Sequence, residues 1–327
     1  MKVEYSQVSP EALKDLLVER YDLPPSTVVL FLHQGLNDTY LITTAAKKYI
    51  LRVYRKDWKP YEDILGELEL IDLLTEAKIL VASPIPDREN KRIQQLPAPE
   101  GTRYAVVFNF APGKALPALD EENAQLFGQH LALVHHVTAG TQMDNLSKSY
   151  DVAGILSFTK SCLVGRLGTA HSSLQLLAQI EEGLLTQLSP DILKALPQGV
   201  CHGDPHYENC FLAPNMQELT FFDFDFCGNG YLHYDLGSFM HYERANPLIQ
   251  ESFLAGYTEK RPLSDLQLSA IPYFTILMRL FHLGARAKNA DGTKNPIWPA
   301  DGIESTAQNI LAQLTALNNQ GKSFKIS

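Results

Sequence analysis

The chain is poor in the features that would assign it early. It has only four cysteines, Cys162, Cys201, Cys210 and Cys227, in 327 residues, and no CxxC pair. That excludes a disulfide-stapled scaffold and fits a reducing cytosol. Basic charge is also in deficit: 28 Lys plus Arg against 37 Asp plus Glu give a net charge of −9. Such a balance disfavours nucleic acid or an anionic membrane as partner and points to small molecules. No apolar run approaches the roughly 20 residues that span a bilayer, and the charged "MKVEYSQVSPEALKDLL" lacks the apolar core of a signal peptide. The Walker pattern GxxxxGK[ST] is absent, which excludes a P-loop fold.

What is present is a soluble globular composition, 45% hydrophobic and 20% charged, long enough for one large or two smaller units. Ser9 and Pro10 form an N-cap and first turn for a helix through "EALKDLLVERY". The β-branched or aromatic stretches 26–32, 38–44 and 48–55, separated by "HQGLND" and "AAKK", predict three antiparallel strands. In 61–77 Ile64, Leu68, Ile71 and Leu74 recur at the helical period. A Pro-bounded strand pair ends in "RYAVVFNF" (103–110), and "APGK" closes it. Long helices then follow at 121–138, 151–164 and 172–188, so a boundary is expected near Gly113, between 1–113 and 114–327. Segment 196–230 reads as loop, short strand, turn, short strand, loop, and helices resume at about 235.

The polar cluster "HGDPHYEN" (202–209) interrupts the helical half. Cys201, His202, His206 and Cys210 could form a zinc knot, but adjacent Cys-His lacks the separated ligand pairs of small zinc modules. A plain turn capping a strand is the second reading. A third reading comes from the following segment, where "LTFF" delivers Asp223 and Asp225 into a Gly-containing loop. A hairpin turning at "APNMQE" would bring Asp204, Asn209 and Asp223 to one small volume. Hard oxygen donors of this kind suit Mg²⁺ shared with substrate phosphates, and a further Asp can take a proton from a hydroxyl.

"HGDPHYEN…FFDFDFCGNGYLHYDLG" resembles the pattern of the aminoglycoside phosphotransferase and choline kinase-like superfamily, which includes homoserine kinase-like and bacterial stress-response kinase relatives. The resemblance implies an α+β, protein kinase-like bilobal fold with an antiparallel N-terminal sheet lobe and a mostly helical C-terminal lobe. It further implies a cytoplasmic ATP-dependent kinase that phosphorylates a hydroxyl of a small metabolite such as an amino acid, amino alcohol or aminoglycoside. Asp204 then matches the catalytic base, Asn209 and Asp223 the Mg²⁺ ligands, and Asp225 a second metal contact or a loop-orienting group. His202, His206 and Asp235 match structural residues of the loop.

In the first half, "QGLNDTY" resembles the phosphate-covering loop, with Gly35 and Asn37 at the close approach. Arg52 stands where the family usually has Lys, and Glu67, with Glu69 as fallback, is its implied partner. "VVFNFAPGK" resembles the hinge, so backbone groups of Asn109 and Ala111 are expected at the adenine. Tyr242, Glu243, Tyr273, Arg279 and His282 are candidates for the acceptor pocket, and Arg279 with Arg286 favours an acceptor bearing a carboxylate. The competing functions are a Ser/Thr protein kinase, a non-catalytic nucleotide-binding module suggested by the Arg52 departure, and a metal-dependent hydrolase using His202, His206 and Asp204.

Overall fold

The computed structural model describes residues 3, 5–116, 119–289 and 302–320. The chain divides into two compact units, Met1–Pro112 with Thr220–Phe222, and Gly113–Leu219 with Asp223–Ser327. The second half of the sequence therefore lends three residues to the first unit.

In the first unit α1 (Pro10–Tyr21) starts as its cap dictates: Ser9 Oγ accepts from Ala12 N at 3.2 Å, and Leu13 and Leu17 are buried. Such a cap contributes about 1 kcal/mol. β1 (Val28–Gln34), β2 (Asp38–Thr43) and β3 (Lys48–Val53) form the expected antiparallel run, joined by β5 (Gly101–Asn109) and β4 (Ile93–Ala98) in the order β1-β2-β3-β5-β4. β1 begins two residues later than the residue types predict, because Thr27 N is held by Pro24 O in a turn. Alternation along β2 sends Tyr40 and Ile42 into the core with Leu51, Val53, Ala105 and Val107. α2 (Tyr61–Glu76) buries Ile64, Leu68, Ile71 and Leu74, the periodic face. The borrowed Phe221 bonds through its backbone to Leu80 O (2.9 Å) and Ala82 N (3.0 Å).

The second unit opens with β6 (Lys114–Ala115) and α3 (Glu121–Thr138), followed by β7 (Ser149–Tyr150), α4 (Val152–Leu167), α5 (Ser172–Gln187) and α6 (Pro190–Lys194). Asp151 caps α4, accepting from Gly154 N at 2.6 Å, and Gly168 at φ +79° ends it. The polar segment then carries β8 (Gln198–Cys201) and β9 (Cys210–Leu212), a turn closed by Ala213 N to Glu218 O, and β10 (Leu219–Phe221), which straddles the division. β11 (Gly228–Tyr231) follows, then α7 (His233–Tyr242), α8 (Pro247–Lys260), α9 (Asp265–Asn289) and α10 (Ile303–Gln320).

Two features correct the sequence expectation. β8 and β11 pair antiparallel, Gly228 with Cys201 through Tyr231 with Gln198, and β7 adds in parallel. Their Gly- and Asn-rich residues hid them as loop. α9 is also long and apolar enough to cross a membrane by length and composition, contrary to the absence of such a run expected above. It is a core helix: 72% of that stretch is buried.

Candidate functional site

The loop after β8 is held from beneath by one buried carboxylate. Asp235, on the first turn of α7 and fully buried, accepts the backbone N–H of His202 on Oδ2 (2.7 Å) and that of Gly203 on Oδ1 (2.9 Å). Gly203 is required here: it lies at φ +88°, and a Cβ would come within 2.0 Å of Phe226 O. His135 of α3 meets the same carboxylate, Nε2 at 2.9 Å from Asp235 Oδ2, and its Nδ1 lies 2.8 Å from the Tyr257 hydroxyl. A carboxylate only accepts, so Nε2 carries a hydrogen. The residue types gave no warning of His135, although it continues the buried face of α3 set by Phe127, Leu131 and Ala132.

Above this base the loop presents Asp204. Its Oδ1 accepts from the Tyr242 hydroxyl at 2.6 Å, and its Oδ2 lies 3.6 Å from His206 Nε2. Burial works to raise the Asp204 pKa, but the His206 hydrogen bond, the charges of His206 and His282 and the Tyr242 hydroxyl outweigh it, so the carboxyl titrates below its ordinary range. The reciprocal balance raises His206, where burial is overcome by Asp204, Glu208 and Asp223. His202 is fully buried and lowered by that burial, with Asp235, Asp204 and Asp223 opposing, and its ring packs on Phe224 at 4.5 Å.

Asp204 and Asp223 therefore both lie close enough to His202 and His206 to favour the protonated imidazoles. Asn209 Nδ2 donates to Asp204 O at 3.0 Å and so braces the backbone of the same loop. Asp223 adopts the left-handed conformation (φ 64°, ψ 58°), which an Asp tolerates better than most residues. It opens the short 3-10 turn Phe224–Phe226, whose Asp225 is buried and whose backbone is bonded by Lys148 and Tyr150. Among the described residues no three His, Cys, Asp or Glu side chains group as a metal site. Cys201 and Cys210 are buried, their thiols donating to Tyr231 O and Tyr207 O.

Of the acceptor candidates, Tyr242 and His282 act directly on Asp204, and Glu243, its pKa raised by burial, feels the charge of His206. Arg279 bonds Gln313 and Arg286 lies 3.3 Å from Thr306, both on α10, while Tyr273 bonds Gln187. Both arginine side chains thus have partners on α10.

The first unit holds a separate cationic cluster. Arg52 Nη1 donates to Glu67 Oε1 at 3.0 Å, the expected pair, and Glu67 is buried. Two further donors reach Oε2, the Tyr54 hydroxyl at 3.0 Å and Lys59 Nζ at 2.5 Å. Lys59, fully buried in side chain, carried no sequence signal, since "DWKP" reads as an exposed turn. Asn37 Oδ1 accepts from Arg55 N at 3.1 Å and Gly35 N donates to Asn37 O at 2.9 Å, so Asn37 fastens its loop as well as shaping it. Asn109 N is already bonded to Ser83 O at 2.8 Å, and Ala111 is buried. An adenine edge would then meet Asn109 through its carbonyl rather than its amide.

Comparison with known proteins shows the family and the fold. Residues 27–266 match the model of the phosphotransferase enzyme family. A homoserine kinase of Caulobacter sp. (strain K31) is 25% identical, with 82% of each chain covered. The fold is shared with a microcompartment-associated aminopropanol kinase (TM-score 0.76, 23% identity, 95% of this chain and 98% of that chain). It is shared as well with an amicoumacin kinase solved in complex with AMP-PNP, Ca²⁺ and Ami (TM-score 0.72, 19% identity, 98% and 96% covered).

Proposed function

The chain belongs to the phosphotransferase enzyme family, and from that premise we propose that it moves the γ-phosphoryl group of ATP to a hydroxyl of a small amino alcohol or hydroxylated amino acid. One observation carries the assignment of the base: Asp204 already accepts an O–H, that of Tyr242, at 2.6 Å. This is the hydrogen bond an acceptor alcohol makes as it gives up its proton. The low pKa of Asp204 keeps the carboxylate ionised at neutral pH and able to accept.

Asp204 orients the acceptor hydroxyl and takes its proton as the oxygen attacks the γ-phosphorus. His206 and Asn209 fix the carboxylate and the backbone behind it, and Asp235 fixes the turn below. Asn209 and Asp223 fit Mg²⁺. Both offer hard oxygens, and the amide nitrogen of Asn209 is committed to Asp204 O, so its Oδ1 is the atom it can offer a cation. The ion, when bound, neutralises phosphate charge. Asp225, buried in the adjoining turn, orients that segment.

Arg52, held by Glu67, supplies positive charge for the donor phosphates with two parallel donors in place of an ammonium. The Gly35–Asn37 turn covers the phosphates, and the Asn109–Ala111 strand end meets the adenine. Support for ATP as donor comes from the amicoumacin kinase, solved with AMP-PNP. Support for the acceptor class comes from the likeness to a homoserine kinase and an aminopropanol kinase. Tyr242, Glu243 and His282 face this acceptor.

The test is a coupled ADP-release assay on the purified protein with Mg²⁺ and ATP against amino alcohols, hydroxylated amino acids, sugars, aminoglycosides and a generic protein substrate. Stimulation by members of the first two groups is expected. Stimulation by the protein substrate alone would replace the acceptor class, and no stimulation by any acceptor in a protein that binds ATP would remove the reading.

A further inference from the structure

Tyr242 ends α7 with 36% of its surface exposed, and its ring lies against His206 at 4.9 Å between centroids. Its hydroxyl donates to Asp204 Oδ1 at 2.6 Å, while Oδ2 faces His206 Nε2 at 3.6 Å. Both oxygens of the base are therefore engaged by side chains of this same unit. We propose that Tyr242 is the residue that discriminates against water: its hydroxyl takes the place on Asp204 that an acceptor hydroxyl needs, and only a tethered acceptor displaces it. The proposal rests on Asp204 being the base.

The physical argument is one of competition. An O–H donating to a carboxylate at this length is among the stronger hydrogen bonds. The phenol is already part of the fold, so it forms the bond without the translational and rotational cost that a free molecule bears. A lone water brings one or two hydrogen bonds and no other anchor, whereas an acceptor carrying an amine and a carbon skeleton adds contacts elsewhere. Without such a guard, water would attack the γ-phosphorus, its proton would pass to Asp204, the bond to the bridging oxygen would break, and ATP would become ADP and inorganic phosphate.

The experiment measures phosphate release from Mg²⁺-ATP with no acceptor present, nucleotide binding by calorimetry, and intact mass. Wild type, Tyr242→Phe, Asp204→Asn and the double variant are compared. Tyr242→Phe keeps the ring on His206, and its thermal melt checks the fold. Removing one hydrogen bond to a charged group is expected to raise acceptor-free hydrolysis about tenfold. The double variant is expected to fall back to the Asp204→Asn level, with nucleotide binding unchanged throughout. Hydrolysis by Tyr242→Phe at or below wild type, with ATP bound, overturns the guard role alone. A phosphoryl group found on Tyr242 of the wild type overturns it too, since the phenol would then be an acceptor. Absence of ATP binding in the wild type overturns the phosphotransfer reading and the guard role with it.

Discussion

Lys59 and Arg52 grip opposite oxygens of one carboxylate: Nζ of Lys59 lies 2.5 Å from Glu67 Oε2, and Nη1 of Arg52 lies 3.0 Å from Oε1. Two cations thus share the one carboxylate. Lys59 is fully buried and Arg52 is 12% exposed in side chain, so of the two cations the guanidinium is the one accessible from outside. The Arg-for-Lys departure at Arg52 is thus accompanied by a second cation that steadies the same glutamate.

The asymmetry predicts the response to substitution. Glu67→Gln leaves the buried Lys59 and the part-buried Arg52 facing a neutral amide and is expected to cost about 3 kcal/mol, as breaking a buried pair does. Arg52→Gln leaves Glu67 still bonded to Lys59 and Tyr54 and is expected to cost about 1 kcal/mol. Urea unfolding midpoints of the two variants check the order; equal losses would mean that Lys59 does not support Glu67.

Asp204→Asn removes the carboxylate proposed as the base while keeping its shape and its hydrogen bond from Tyr242. Turnover with a stimulating acceptor is expected to fall by about 10²-fold or more. ATP affinity, measured by calorimetry, is expected to stay within about twofold, because Asp204 is assigned to the acceptor side. Persistent turnover would move the base elsewhere.

Asp235→Asn presents an amide nitrogen to donors that need an acceptor, His202 N or Gly203 N and His135. A loss of about 3 kcal/mol in stability is expected for disrupting this buried charged network. His135→Ala is expected to act in the same direction through Asp235. A full-strength melt in both variants would deny the network its role in holding the loop.

How far these groups could be read in advance follows from the kind of signal each carries. α1, α2 and the first three strands declare themselves by cap chemistry and by periods sustained over several residues, as in Ile64, Leu68, Ile71 and Leu74. Asp204, Asn209, Asp223 and Asp235 were legible through one dense pattern, and Glu67 through its place on α2. β8 and β11 were not, since four residues of Gln-Gly-Val-Cys or Gly-Asn-Gly-Tyr establish no alternation. Lys59 and His135 were missed for another reason: burial of a polar side chain is a tertiary fact, and a Lys before a Pro or a His near the end of a helix reads as surface. For Arg279 and Arg286 the charge was legible but the partners were not, since each bonds a residue of α10 that lies far along the chain.

Acid will expose one buried group of the second unit. His233 is held down from 6.5 to about 3, first by burial and then by the charges of His135 and Arg261, despite its bond to Gln267 O. Between these values the unfolded chain binds a proton that the native chain refuses, so stability is complete above about pH 6.5 and falls as pH drops toward 3. From pH 7.5 to 5.0 this one residue is expected to account for about 2 kcal/mol. Urea titrations of wild type and His233→Asn at the two pH values check it; an equal pH dependence in both would assign the loss to other groups.

Thr220–Phe222 complete the first unit from far along the chain. Translation proceeds from the amino terminus, so when Pro112 leaves the ribosome, Leu80 O and Ala82 N still lack the backbone partners that Phe221 will provide. More than a hundred further residues must be synthesised before that edge closes. A gene fragment ending at the apparent boundary would therefore express an unfinished first unit, and grafting experiments on this enzyme need to carry residues 220–222 with it.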